Sequence, residues 1–321
     1  MMRYTRREFG KLAVTAVPAA GAFCALARGI AATPARVDSK VNGVQIGMNV
    51  PYNFGSDTYM SGDEVLSRCV QLGVGAIELR SQPVEVFLNA PRVPAAPARG
   101  AQPNPDLDAQ RQAARDDLRK FRLAVDMNST KPFRQKYEDA GVMIQIVKFD
   151  GLDTASDEEV DYSFNLAKAL GAHALSCEIA LPLAKRLAPF AEKHQLRVGL
   201  HGHTQATPAM FEEAMSYGNY ICCNVDIGHF LAGNNTSPLP FIIEHHDRIT
   251  HVHVKDRKLN NGPNVPFGQG DTPIVGVLHA MRDNKWDFPA VIEFEYPIPA
   301  GSDRMTELAK CMDYCRTVLQ S

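Results

Sequence analysis

The stretch ICCNVDIGH, residues 221–229, runs from a mainly apolar strand pattern into two side chains able to hold a divalent metal, Asp226 and His229. Three more stretches repeat the design. CEIA (177–180) delivers Glu178; HVHVKD (251–256) delivers His251, His253, Lys255 and Asp256; IEFEY (292–296) delivers Glu293 and Glu295. Side chains two apart on a strand share a face, so His251, His253 and Lys255 line one face of their strand, as do Glu293 and Glu295 of theirs. A short, continuously apolar run is the pattern of a strand covered on both faces, as in a parallel sheet. Metal-suited groups gathered at the ends of several such strands point to a closed parallel barrel with its chemistry at the carboxyl rim.

Working outward, strand patterns occur at 44–50, 76–80, 143–149, 173–179, 197–203, 221–227, 249–255 and 290–296. Helical patterns alternate with them, for example DEEVDYSFNLAKALG (157–171) and TPIVGVLHAMRDN (272–284). Eight strands in alternation with helices predict a single-domain (β/α)₈ TIM barrel over residues 44–321. An open doubly wound sheet would share the alternation, but no Gly-rich dinucleotide fingerprint follows the first strand. Residues 81–142 break the rhythm as an insertion. Its APRVPAAPARGAQPNPD run (90–106) holds too many prolines for a regular helix, whereas LDAQRQAARDDLRKFRLAVD (107–126) reads as helical. The insertion is a candidate lid over the site or contact with a second copy in a homo-oligomer; the plainer reading is a surface loop.

With 321 residues, 45% of them hydrophobic, the chain can bury a full α/β core. A net charge of −2 without charge blocks gives no footprint for nucleic acid, and leaves a small molecule as the expected partner. Residues 1–32 read as an address. Arg6 and Arg7, followed by Phe9, Lys11 and an uncharged stretch from Leu12 to Ala27, resemble a twin-arginine (Tat) export signal, with 33–43 as a polar linker. That stretch is too short and weakly apolar for a stable membrane span. The expected location is periplasmic or exported, reached after folding with the cofactor already aboard. The seven cysteines show neither zinc-ribbon nor disulfide-framework spacing.

The ordered series DIGH (226–229), HVKD (253–256), FGQGD (267–271) and the Ile292-Glu293 pair resembles the xylose isomerase-like barrel superfamily, and within it the sugar phosphate isomerase/epimerase group. The resemblance covers roughly residues 44–318. It implies one divalent ion (Mn²⁺, Mg²⁺, Co²⁺ or Zn²⁺) held by Glu, Asp, His and Glu from successive strands. Asp226, His253 and Glu293 match the last three positions. The first departs: its usual Glu falls at His201, in LHGH (200–203). Glu178 on the neighbouring strand is the expected replacement, with His201 or His203 as the alternative. FGQGDTPI (267–274) reads as a loop entering a helix that Asp271 or Thr272 would cap.

Such a site suits a sugar or keto-sugar with a carbonyl beside a hydroxyl. Glu178, Glu293 and His203 are the expected acid–base groups; His201, His229, Lys255 and Glu295 are expected to contact substrate. The expectation is a metal-dependent isomerase or epimerase working through an enediolate. A metal-dependent lyase or hydratase of 3-keto-glycosides or oxidised sugars would use the same first step, and a non-catalytic sugar-binding barrel would use none of it. An exported enzyme would meet unphosphorylated sugars, since phosphorylated intermediates are mainly cytoplasmic.

Overall fold

The computed structural model describes residues 36–55, 59–95, 97, 102 and 104–321. The twin-arginine motif, the apolar stretch after it and part of the proline-rich run lie outside the described residues. Eight parallel strands form the barrel: β1 (Val44–Val50), β2 (Ala76–Arg80), β3 (Met143–Lys148), β4 (Ala174–Glu178), β5 (Arg197–His201), β6 (Ile221–Asp226), β7 (Ile249–Val254) and β8 (Ala290–Ile292). Each pairs with its neighbours in chain order, and β8 returns to β1, closing the sheet. The predicted TIM barrel is therefore the observed fold. Ahead of it, Lys40–Val41 pairs antiparallel with the start of β1.

Strands and helices meet over one continuous apolar core, while a small separate cluster of Ile146, Ala174 and Val291 closes the lumen below. By the two-residue repeat, the next inward positions on those strands are Lys148, Ser176 and Glu293. The lumen thus turns polar one layer above its apolar floor. Register shifts occur at Ile77/Glu78 between β2 and β3 and at Cys223/Asn224 between β6 and β7. Such irregularities re-aim side chains, and Glu78 and Asn224 both point into the polar layer.

β8 ends at Ile292, earlier than its apolar pattern, because Asn53 acts as a substitute neighbour. Its amide donates to Ile292 O (2.7 Å) and accepts from Phe294 N (2.9 Å). Glu293 and Glu295 consequently sit on the turn leaving the barrel. In the insertion, Pro105–Ala124 is helical and none of its residues is buried; Arg122 ties it to Glu85 (2.8 Å) and Glu159 (3.2 Å). Among the described residues, no helix is long and apolar enough to cross a membrane, and the six cysteines are free and buried.

One expectation is corrected. Helix Ile274–Asp283 has Pro273 at its N-cap and no side-chain cap. Asp271 accepts instead from Leu259 N (3.0 Å), and Thr272 Oγ1 from Arg257 N (2.9 Å). The loop is organised by Asp256, whose carboxylate accepts from the backbone of Gly268 (2.8 Å), Gly270 (2.8 Å) and Thr272 (3.3 Å). A Cβ at Gly270 would lie 1.9 Å from Asp256 Oδ1, so only glycine lets the loop close onto that carboxylate.

Candidate metal centre

Asp226 divides its two oxygens between two tasks. Oδ1 caps the helix Ile227–Asn234, accepting from His229 N at 2.7 Å. Oδ2 faces the lumen, buried and without a hydrogen-bond partner. Lys255 Nζ is 3.1 Å from it, close but out of line for a hydrogen bond, and His253 Nδ1 is 3.9 Å away. A Cβ at Gly228 would meet the Lys255 Cγ at 2.4 Å, so glycine in DIGH gives that lysine its path to the site.

His253, on β7, is held at both ring nitrogens. Nε2 is 2.6 Å from Glu78 Oε2, and Nδ1 is 3.1 Å from Glu293 Oε2. Glu293 accepts from Asn49 Nδ2 (3.0 Å) through its other oxygen. The Asn224 amide lies 3.2 Å from His201 Nδ1 and 3.1 Å from His253 Nε2. His201, Asp226, His253 and Glu293 are all buried, and each offers a ligand atom within 4.8 Å of the others'. Two imidazoles and two carboxylates make a mixed nitrogen–oxygen set suited to Zn²⁺, Co²⁺ or Mn²⁺ more than to Mg²⁺. The partnerless Asp226 oxygen aimed into this set is what a cation would satisfy, so the residues fit the ion the fold implies.

Glu178 stands apart from that group. Its side chain is 46% exposed, it accepts from Lys148 Nζ at 2.7 Å, and its Oε2 is 3.7 Å from His203 Nε2. His203, itself half-exposed, joins His201 and His229 in a second convergent trio. Glu295 accepts from Tyr52 Oη (2.8 Å) and from Lys255 Nζ (2.7 Å). Beside it opens a cavity of about 410 Å³ lined by Tyr52, Gly55, Asn264, Phe294, Glu295 and Arg304.

Electrostatics follow from burial and these contacts. Burial pushes Asp226 up to about 6, against the pull of Lys255. Burial alone would lower His253, but the Glu293 and Glu78 carboxylates more than reverse it and carry the imidazole to about 10. Lys255 is raised in spite of burial by Asp226, Glu293 and Glu295. Burial and then Lys255 lower His229 to about 3; Lys255 Nζ and Arg257 Nη1 lie 2.9 and 2.7 Å from its two ring nitrogens. Burial, then Lys148, holds His201 well below its ordinary value. A neutral imidazole is the form that ligates a metal.

Glu78, Asn224, Asn49, Tyr52, Lys148 and Arg257 were not singled out from the sequence. Glu78 left a trace, since in AIELR (76–80) it is a charge in mid-strand between Ile77 and Leu79. Asn224 left a similar trace, as a polar residue between Cys223 and Val225; the others sit near strand ends or in loops with no local pattern.

Residues 66–316 match the family described as xylose isomerase-like TIM barrel. No curated protein matches the chain by sequence. Among solved structures, a xylose isomerase domain protein from Planctomyces limnophilus is 16% identical, with a TM-score of 0.58 over 86% of this chain and 97% of that one. D-psicose 3-epimerase from Clostridium cellulolyticum H10, solved with D-tagatose, is 12% identical (TM-score 0.56, 86% and 99%). The probable 3-DHS dehydratase AsbF from Bacillus anthracis is 13% identical (TM-score 0.58, 84% and 97%). At such identities the likeness is one of fold, and epimerase and dehydratase share it.

Proposed function

Because the chain belongs to the xylose isomerase-like TIM barrel family, we propose that it is a divalent-metal-dependent isomerase or epimerase of a sugar or keto-sugar. The observation that carries this reading is the buried convergence of His201, Asp226, His253 and Glu293 at the carboxyl rim. We assign the fourth donor to His201 rather than Glu178, since Glu178 is half-exposed and paired with Lys148. The ion, when bound, would polarise a substrate carbonyl and lower the barrier to loss of the adjacent proton.

The chain's own groups supply the proton traffic. His203, leaving β5 beside Glu178, and Glu293, leaving β8, approach the lumen mouth from different sides. One removes the α proton and the other returns it, through an enediolate. Return to the opposite face gives an epimer, and return at the neighbouring carbon gives an isomer. His229 and Glu295 contact substrate hydroxyls, and Lys255 keeps the carboxylates ionised. The cations Lys148, Lys255 and Arg80 are already paired with Glu178, Glu295 and Asp150, which favours an unphosphorylated substrate.

Histidine in place of the glutamate donor on β5 favours one further reading, elimination of a β-substituent from a 3-keto-glycoside or related oxidised sugar. Incubating the metal-loaded protein in D₂O with free ketoses, aldoses and 3-keto-glycosides tests both. Deuterium beside the carbonyl with the skeleton intact supports the isomerase or epimerase. Release of the β-substituent supports the lyase. Sugar binding without exchange or release would leave a binding barrel, and activity confined to sugar phosphates would overturn the substrate assignment. From the twin-arginine resemblance of residues 1–32 we infer a periplasmic or exported location; a fusion of residues 1–35 to a folded reporter tests that address.

A further inference from the structure

Glu78 is a buried carboxylate that the proposed chemistry does not use. It sits in mid-β2, fully buried, and among the described residues its ion-pair contacts are with two histidines and no lysine or arginine. Of the two, His253 is the close one: Nε2 to Oε2 is 2.6 Å, against 3.4 Å from His251 Nε2 to Oε1 without hydrogen-bond alignment. An ionised carboxylate only accepts hydrogen bonds, so the 2.6 Å contact requires a proton on His253 Nε2. The other ring nitrogen, Nδ1, faces Glu293 Oε2 at 3.1 Å and Asp226 Oδ2 at 3.9 Å. The Asn224 amide also touches Nε2, at 3.1 Å.

Resting on the metal reading above, we propose that Glu78 is the positioning residue of the centre: it fixes His253 as the Nε2–H tautomer and presents Nδ1 as the ligand atom. A ligating histidine whose second nitrogen is tied to a carboxylate keeps one tautomer and one ring orientation and is a more basic donor. The register shift at Ile77/Glu78 turns the carboxylate toward β7 from the far side of the barrel. Its reach spans 175 positions of sequence.

The test uses the full chain labelled with ¹⁵N-histidine, with the His253 signals assigned by comparison with His253→Gln. Two-bond ¹H–¹⁵N spectra report which ring nitrogen carries the proton, and competition with a chelator gives Zn²⁺ affinity. We expect a proton on Nε2 in the Zn²⁺-loaded wild type. Glu78→Ala should lose about 10–100-fold in affinity, the range for removing such an outer partner. Glu78→Gln, which keeps an acceptor oxygen, should recover part of that loss. Glu85→Gln is the control, because Glu85 is a buried carboxylate paired with Arg122 in the outer layer. It should lower the melting temperature and leave Zn²⁺ affinity unchanged. Unaltered affinity and His253 spectrum in Glu78→Ala, equal losses in Glu78→Ala and Glu85→Gln, or zinc on Nε2 in wild type would each overturn the proposal alone. A wild type that binds no divalent ion would overturn the metal reading itself.

Discussion

The ammonium of Lys255 stands 3.1 Å from Asp226 Oδ2, inside the group of carboxylates proposed to hold a metal. Glu293 and Glu295 lie 2.9 and 2.7 Å from the same nitrogen, and all four side chains are largely buried. The protein thus carries an internal countercharge for a site whose acidic groups would otherwise repel one another. Removing one partner of a buried ionic cluster typically costs about 3–5 kcal/mol, because the remaining charge is left uncompensated. Lys255→Met should therefore lower the melting temperature of the metal-free protein markedly. Added Zn²⁺ or Mn²⁺ should stabilise this variant more than wild type, since the ion then becomes the main countercharge. Thermal melts with and without metal decide it; equal stabilisation of both proteins would deny Lys255 that role.

The fourth donor is tested by metal stoichiometry. Wild type and Glu178→Ala should each bind about one ion per chain, as a single convergent set of donors implies. Asp226→Ala should bind none, and His201→Ala should weaken binding by at least about tenfold, the effect expected when even an outer partner is lost. Mass spectrometry of the dialysed proteins measures this. Metal loss in Glu178→Ala would return the fourth position to β4.

Metal binding should also release protons. In the metal-free site His253, raised to about 10, is charged at neutral pH, and ligation through one nitrogen requires it neutral. Titration calorimetry at pH 7.5 in buffers of different ionisation heat should show about one proton released per ion. Affinity should rise by about one log unit per pH unit up to roughly pH 10, and fall more steeply below about 6, where Asp226 also takes up a proton. The folded value of His253 lies above its unfolded value. Its contribution to metal-free stability is therefore complete below about pH 6.5 and lost as pH rises through about 10. Melting temperature should fall over that window without metal and less with it. A flat metal-free profile would mean that His253 is neutral.

Much of this was legible in the chain because the barrel writes each strand as a local apolar run. VQIGMNV ends where its pattern ends, and ICCNVD and ITHVHV stop within one residue of theirs. The final strand stops early because Asn53, 239 positions away, bonds Ile292, and no local pattern encodes that. The same limit hid Glu78. Its charge in a buried strand was visible, but its partner His253 arrives only when β2 and β7 are brought round the closed sheet. For the fourth position the sequence offers Glu178, with His201 or His203 as alternatives; in the fold Glu178 is half-exposed and accepts from Lys148, buried on the adjacent β3. Residues on strands that carry motifs are thus legible locally, whereas contacts made by side chains reaching across the lumen are not.

His203 offers the sharpest separation between binding and chemistry. Its side chain is 47% exposed and 3.7 Å from Glu178, outside the group of four buried donors, so replacing it should leave the metal in place. If it handles the proton on one face of the substrate, His203→Asn should slow interconversion by about 10²–10⁴-fold, the usual worth of a positioned acid or base. Exchange of solvent deuterium into the substrate whose α proton faces Glu293 should persist, because that half-reaction needs only the other group. Proton NMR of the substrate pool in D₂O follows both rates at once. Loss of exchange and interconversion together, with metal content intact, would make His203 the single base and favour elimination or isomerisation over epimerisation. A variant that turns over like wild type would remove His203 from the chemistry and leave Glu178, its neighbour at the rim, to be tested in its place.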